Sequence, residues 1–258
     1  MGFNTCNVNC GNETFPNEDF IKRTIDALAD RGLRDAGYVS VNLDDGWADY
    51  DRDSNDNQFA MPNKWPSGMK AVVDYAHSNG FQYGLYTALA TWTCGPLTMS
   101  MAGSCEHEDL DAQQYADWGI DFLKNDGCGG CHAKFDDPSF DSAIYSYELM
   151  TEALANHTGG PGHIFHATEA NPNVTRQSER PDLYGNSNRV GHDALPNYNS
   201  IMSEYDLEAN LFHLAHNDSG FGGYFNDPDM LQVGWGDFLN DTNKIISHLT
   251  MHLMLKAP

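Results

Sequence analysis

Lys124 and Asp126 carry the clearest chemistry in this chain of 258 residues. They lie in the run Phe122-Leu123-Lys124-Asn125-Asp126-Gly127-Cys128. The apolar stretch Gly119-Ile120-Asp121-Phe122-Leu123 that leads into them has the length and composition of a short buried strand. An ammonium and a carboxylate two residues apart lie on the same side of a strand. A parallel strand buried on both faces does not ordinarily end by presenting such a pair, whereas the rim of a (β/α)8 barrel is where active sites are assembled. Taken alone, the heptapeptide also reads as a helix N-cap carboxylate beside a solvated lysine. The rest of the chain decides between the two, because it repeats the pattern.

Gly2 to Thr5 reads as a first strand, and Asn17-Glu18-Asp19-Phe20 opens a helix with a capping residue, early acids and an apolar face at 21, 25, 28 and 33. Tyr38 to Leu43 is a β-rich run ending in Asp44-Asp45-Gly46-Trp47. A helix over Gly68 to His77 leads to a strand over Phe81 to Tyr86, and a helix over Leu110 to Trp118 leads to the central strand. Beyond it, Ser139 to Asn156 is helical and Ile164 to Thr168 is a strand ending near Glu169. Gly185 to Val190 is a strand with Asp193 just past it; Tyr198 to His216 is helical. Gly222 to Met230 supplies a strand and loop, and Asn243 to Leu255 a final helix. Strand, acidic tip and helix recur seven times, the rhythm of βα units and a parallel sheet. No G-x-G-x-x-G or P-loop occurs, which removes the usual nucleotide readings. Acids after several different strands favour a (β/α)8 TIM barrel over an open sheet with one switch point.

Fourteen Lys+Arg against 37 Asp+Glu give a formal charge of −23, which argues against nucleic acid or an anionic membrane as partner. No apolar stretch approaches the ~20 residues of a membrane span. The opening Met1-Gly2-Phe3-Asn4 reads as lacking a signal peptide, so any such segment is expected to have been removed or omitted. Six cysteines allow fifteen pairings. Asn-x-Ser/Thr sequons begin at Asn12, Asn156, Asn173, Asn217 and Asn240, and this density points to a secreted, oxidising setting.

Several long motifs, in order, resemble glycoside hydrolase family 27, the α-galactosidase and α-N-acetylgalactosaminidase group. Met1-Gly2-Phe3-Asn4 is similar to its MGWN, Leu43-Asp44-Asp45-Gly46-Trp47 to LDDCW, and Pro66-Ser67-Gly68-Met69-Lys70 to FPxGMK. Asp111-Ala112-Gln113 to Asp121 resembles DAxxFAxWGVD, Leu123 to Cys128 resembles LKYDGC, and Asn226 to Leu231 matches NDPDML. The resemblance implies a retaining exo-glycosidase that releases terminal α-D-galactosyl residues through a covalent intermediate, with α-galactosides as substrates and neither cofactor nor metal. It implies Asp126 as nucleophile and Asp193, in an R-x-x-x-D pattern, as acid/base. Lys124 would keep Asp126 ionised by Coulomb attraction, while Asp193 would need a site that favours its protonated form. Asp44, Asp45, Lys124, Arg189 and Asp229 would bind the sugar hydroxyls, and carboxylates suit that task because each offers several lone pairs. Glu169 would meet the C2 hydroxyl and disfavour an N-acetyl group there. Trp47, Tyr86 and Trp92 read either as sugar platforms or as core aromatics, and the positions after strands favour the sugar for Trp47 and Tyr86. The resemblance also implies a Cys94–Cys128 disulfide and a secreted, lysosomal or vacuolar enzyme.

The chain departs from the family pattern in places. Gly46 stands where the family has the partner cysteine of Cys6, Cys105 and Cys131 are extra, and Thr168-Glu169-Ala170-Asn171-Pro172 replaces the usual Trp-Pro. Residues 1–258 are read as one catalytic barrel domain, expected to stop before an eighth strand and to lack the family's C-terminal β-sandwich. The nearest alternatives are α-N-acetylgalactosaminidase, β-L-arabinopyranosidase and a non-catalytic sugar-binding relic; oligomeric state is left open. Rival motifs carry less. Cys128-Gly129-Gly130-Cys131-His132 fits c-type haem attachment but competes with the disulfide. Asp51 to Asp56 starts like a calcium loop but has Asp56 at the glycine position, so it reads as a solvated acidic loop. The pairs His163/His166, His213/His216 and His248/His252 lack a third ligand nearby and read as structural.

Overall fold

A computed structural model describes residues 1–6, 16–95, 100–128, 131, 142–160, 163–169, 184–189, 191–206 and 225–255. The chain divides into two compact units, Met1–His166 and Ala167–Pro258.

In the first unit four strands run parallel in the order β1 (Gly2–Asn4), β2 (Ser40–Asn42), β5 (Gln82–Ala88) and β6 (Phe122–Asp126). Helices α1 (Glu18–Asp30), α2 (Met69–Ser78) and α3 (Glu108–Trp118) form the crossovers, and α4 (Ser142–Thr158) follows β6. This is the βα rhythm expected from the sequence. Asn17 starts α1 as anticipated, its side-chain oxygen accepting from Phe20 N at 2.9 Å. The core between strands and helices takes in Ile21, Ile25, Val41, Leu43, Val72, Val73, Leu85 and Leu123, all nearly or fully buried.

Two features differ from the sequence reading. The central strand covers Phe122–Asp126 rather than starting at Gly119, because Gly119 is left-handed (φ 77°) and caps α3, with its N–H on the Ala116 and Tyr115 carbonyls. Lys124 and Asp126 therefore sit within the strand, paired in register with Tyr86 and Ala88 of β5. Asn125 points the other way, its amide 3.2 Å from His166 Nε2, while His166 Nδ1 lies 2.9 Å from Thr151 Oγ1. Burial drives the His166 value down to about 3, so the ring is neutral and structural.

The second difference is an antiparallel hairpin between β3 (Ala48–Arg52) and β4 (Gln58–Ala60), where the sequence suggested a solvated loop. Its turn is organised by Asp53, whose Oδ1 accepts from Asn55 N and Asn57 N. Arg52 anchors the hairpin to α3: its two terminal nitrogens each lie 2.7 Å from one oxygen of Asp111, and they also donate to Asp56 O and Gly103 O. Both side chains are almost wholly buried.

In the second unit β7 (Phe165–Glu169, its first two residues belonging to the first unit), β8 (Ser187–Arg189) and β9 (Phe225–Asp227) are parallel, with Glu169, Arg189 and Asp227 in register. Residues 198–206 are helical, a short 3-10 turn covers Gly236–Phe238, and α5 spans Thr242–Leu255. Ala194, Ile201, Tyr205 and Phe238 form a small core. No helix among the described residues is long and apolar enough to cross a membrane.

Candidate active site

In the first unit the chemistry collects at the C-terminal ends of β2, β5 and β6. Asp44 and Asp45 follow β2, and Lys124 and Asp126 end β6. Lys124 Nζ lies 3.1 Å from Asp44 Oδ2 and 5.2 Å from the centre of the Tyr86 ring, a pairing across 80 residues. Asp126 accepts from the Tyr86 hydroxyl at 2.6 Å and from Gly127 N at 2.7 Å. Burial, then the charges of Asp126, Asp45 and Asp44, hold the Tyr86 phenol well above its ordinary value. It is a fixed neutral donor aimed at the carboxylate. The Cys94–Cys128 disulfide closes the loop after β5 against the end of β6. Its sulfurs are near Asp126 but are consumed in the bond and offer no thiolate to a metal.

Asp45 is gripped from a loop that the sequence did not connect with it: Thr93 Oγ1 donates at 2.8 Å and Gly95 N at 3.1 Å, beside Gly46 N at 2.7 Å. Burial raises its carboxyl from 3.8 to about 6, with Asp44 adding to the rise and the three donors opposing it. An acid raised on folding is stabilised in its neutral form. Below pH 3.8 both folded and unfolded chains are protonated; between 3.8 and about 6 the unfolded chain loses a proton that the folded one keeps. Asp45 therefore makes the protein lose stability as pH rises through that window. Asp45→Asn should gain on the wild type in thermal melts between pH 4 and pH 7, and an unchanged gap at the two pH values would count against the buried-acid assignment.

Trp47 and Tyr86 do not offer open ring faces. Trp47 is fully buried, its indole N–H donating to Tyr86 O at 2.9 Å and its ring edge-on to Trp118. Tyr86 is buried to the hydroxyl. Both form the wall behind the carboxylates, so the platform role expected for them is replaced by a hydrogen-bonding one at Tyr86 and a packing one at Trp47. Trp92 has the opposite placement and is half-exposed.

In the second unit Arg189 gathers three carboxylates. It ion-pairs with Glu169 through Nη1, lies 2.9 Å from Asp193 Oδ1 through Nη2, and stands 3.7 Å from Asp229 Oδ2. Glu169, expected to read a sugar hydroxyl, is a buried partner of the guanidinium. Asp193 does not occupy the secluded site expected of a protonated acid: its side chain is 83 % exposed and ion-paired. Asp229 sits at φ 68°, where its Oδ2 takes Ala194 N at 2.6 Å and its Oδ1 takes its neighbour Met230 N at 2.7 Å. A further buried carboxylate, Glu204, packs against Gly191, and its value is raised by burial.

His248 and His252 are hydrogen-bonded into the same unit. His248 Nε2 accepts from Gln232 N, so its proton is on Nδ1 and goes to the Tyr205 oxygen at 2.5 Å. His252 Nε2 meets the Asp229 carbonyl, leaving Nδ1 to accept from Tyr205 at 2.6 Å. Burial lowers both rings, in keeping with two neutral imidazoles in one directional chain. The pair His213/His216, together with His132, Cys10 and Pro172, lies outside the described residues.

The family model described as Melibiase_2, Alpha galactosidase A, matches residues 2–258. The chain is 35 % identical to an α-galactosidase of Oryza sativa subsp. japonica, over 100 % of this chain and 56 % of that protein. Among solved structures, α-galactosidase I of Mortierella vinacea superposes with a TM-score of 0.78 at 29 % identity, covering 100 % of this chain and 65 % of that one. The Saccharomyces cerevisiae α-galactosidase solved with raffinose gives 0.81 at 28 %, covering 100 % and 57 %. The chain thus spans about half the length of the curated relatives it matches. Its parallel strands and crossover helices are those of the (β/α) barrels of these neighbours, and the chain belongs to the Melibiase_2 (Alpha galactosidase A) family.

Proposed function

We propose that the chain supplies the catalytic residues of a retaining exo-α-galactosidase, acting on terminal α-D-galactosyl residues of oligosaccharides such as raffinose. The observation that carries this reading is the setting of Asp126, a carboxylate at a strand end that accepts from a neutral buried tyrosine beside the Asp44–Lys124 pair. In the proposed reaction Asp126 attacks the anomeric carbon as the glycosidic oxygen leaves with a proton from Asp193. Asp193 then takes a proton from water, which displaces Asp126 and restores the original configuration. Asp44, Asp45 and Lys124 meet the sugar hydroxyls; Arg189 and Asp229 are further sugar-binding residues in this reading, and Glu169 acts through its ion pair with Arg189. The proposal treats residues 1–258 as one catalytic domain, needing neither metal nor cofactor.

Asp193 enters this scheme as an exposed, ion-paired carboxylate. Asp193→Ala should slow alkyl galactosides, whose leaving groups need a proton, by roughly 10²-fold or more, and nitrophenyl galactoside much less in the first step. Equal losses on both substrates would remove Asp193 from the acid role. The primary test is turnover of nitrophenyl α-galactoside, with nitrophenyl α-GalNAc and β-L-arabinopyranoside as comparisons. Absence of any turnover, with sugar binding retained, would leave the binding-protein reading.

The reading of a secreted, lysosomal or vacuolar protein rests on the disulfides Cys94–Cys128 and Cys105–Cys131, which need an oxidising compartment. Two sequon asparagines, Asn156 and Asn240, are exposed and open to glycosylation.

A further inference from the structure

Tyr50 on β3 and Trp92 in the loop after β5 stack at the surface of the first unit. Their ring centres are 5.4 Å apart and their planes differ by 16°. They remain 41 % and 47 % exposed. Single exposed aromatics need no explanation, but in an offset stack each ring braces the other through one face and leaves its outer face to solvent.

The pair is held rigidly. Trp92 bridges Ala102, Ala102 N donates to Asp49 O at 3.1 Å, and Gly103 N donates to Thr91 O at 2.9 Å. A side chain at Gly103 would collide with the Ala90 carbonyl, so the two loop arms meet as closely as the backbone permits. On the other side the buried Arg52–Asp111 pair fixes the strand that carries Tyr50. Trp92 also directly precedes Thr93, whose hydroxyl donates to Asp45, and Cys94, which is bonded to Cys128. The stack is therefore one residue along the chain from Thr93, the residue that holds Asp45.

A pyranose offers one face of C–H groups and a rim of hydroxyls, which suits a flat aromatic surface next to carboxylate acceptors. An anionic ligand would meet the field of a chain with formal charge −23. A folded protein partner would need roughly 800 Å² on each side, far more than two half-exposed rings provide.

We propose that Tyr50 and Trp92 form a subsite for the second, neutral sugar ring of an oligosaccharide whose terminal ring occupies the Asp44–Asp45–Asp126 cluster. This rests on the α-galactoside reading above and adds to it a contact with the leaving group. Calorimetric titration of the Asp126→Asn chain with raffinose and with methyl α-galactoside, which lacks the second ring, tests it. Adding Trp92→Ala should weaken raffinose binding about threefold to tenfold and methyl α-galactoside less than twofold. Trp92→Phe should restore most of the loss, and retained methyl α-galactoside binding certifies the fold. Equal weakening of the two ligands, or none for either, overturns the subsite while the α-galactoside reading stands. Raffinose binding that depends on Trp92, with no binding of methyl α-galactoside, supports the platform and sinks the α-galactoside reading. Binding of neither sugar overturns both.

Discussion

Asp126→Asn is expected to lower turnover of nitrophenyl α-galactoside by roughly 10⁴-fold or more while leaving galactose binding within a few-fold of wild type. The amide fills the same volume and still accepts from the Tyr86 hydroxyl, which lies 2.6 Å from the native oxygen. What it loses is the anionic lone pair that would bond to the anomeric carbon. Azide in the assay should restore part of the rate and give the inverted glycosyl azide, because a small anion can reach the face that the nucleophile no longer attacks. Retention of even a tenth of the wild-type rate would place the nucleophile elsewhere. Tyr86→Phe is a useful companion: it removes the fixed donor without removing the carboxylate, so a loss much smaller than that of Asp126→Asn is the expected ranking.

The second large effect concerns stability. Arg52→Met leaves the Asp111 carboxylate, which has no exposed surface, facing the space of a lost guanidinium. Breaking a buried pair from one side costs about 3–5 kcal/mol, against nearly nothing for replacing both partners by apolar groups. At this chain length that corresponds to a melting temperature roughly 10 °C lower. The double variant Arg52→Met/Asp111→Leu should recover more than half of the loss, which separates the orphaned charge from simple loss of packing. Acidification should also narrow the gap between Arg52→Met and wild type, since a protonated Asp111 no longer needs a cation. A single variant that melts within about 2 °C of wild type would show that the pair contributes little. Because Arg52 also holds the strand of Tyr50, the same variant should weaken raffinose binding more than methyl α-galactoside binding.

Much of this architecture is legible in the sequence. The alternation of apolar runs with acidic tips and amphipathic helices is a local property, set by the periodicity of each element, and it specified the parallel βα architecture. Asn17 announced the start of α1 by residue type alone, and the same-side placement of Lys124 and Asp126 follows from the two-residue repeat of any strand. Contacts between distant segments were not legible, because no local rule pairs residues 48, 59 or 80 positions apart. The Thr93 grip on Asp45, the Arg52–Asp111 pair and the Lys124–Asp44 contact all belong to this class. Exposure was equally hidden. Trp47 directly follows a strand-like run and Trp92 lies in the loop beyond one, yet the first is closed in by Tyr86 and Trp118 while the second stacks on Tyr50 in solvent. Burial depends on what the rest of the chain brings to a residue. The sequence by itself determined the order of the parallel strands and their helices and the acids at the strand ends, but not the β3–β4 hairpin. The tertiary structure alone decided which donors hold each acid, which aromatic ring is available to a ligand, and that Cys105 pairs with Cys131.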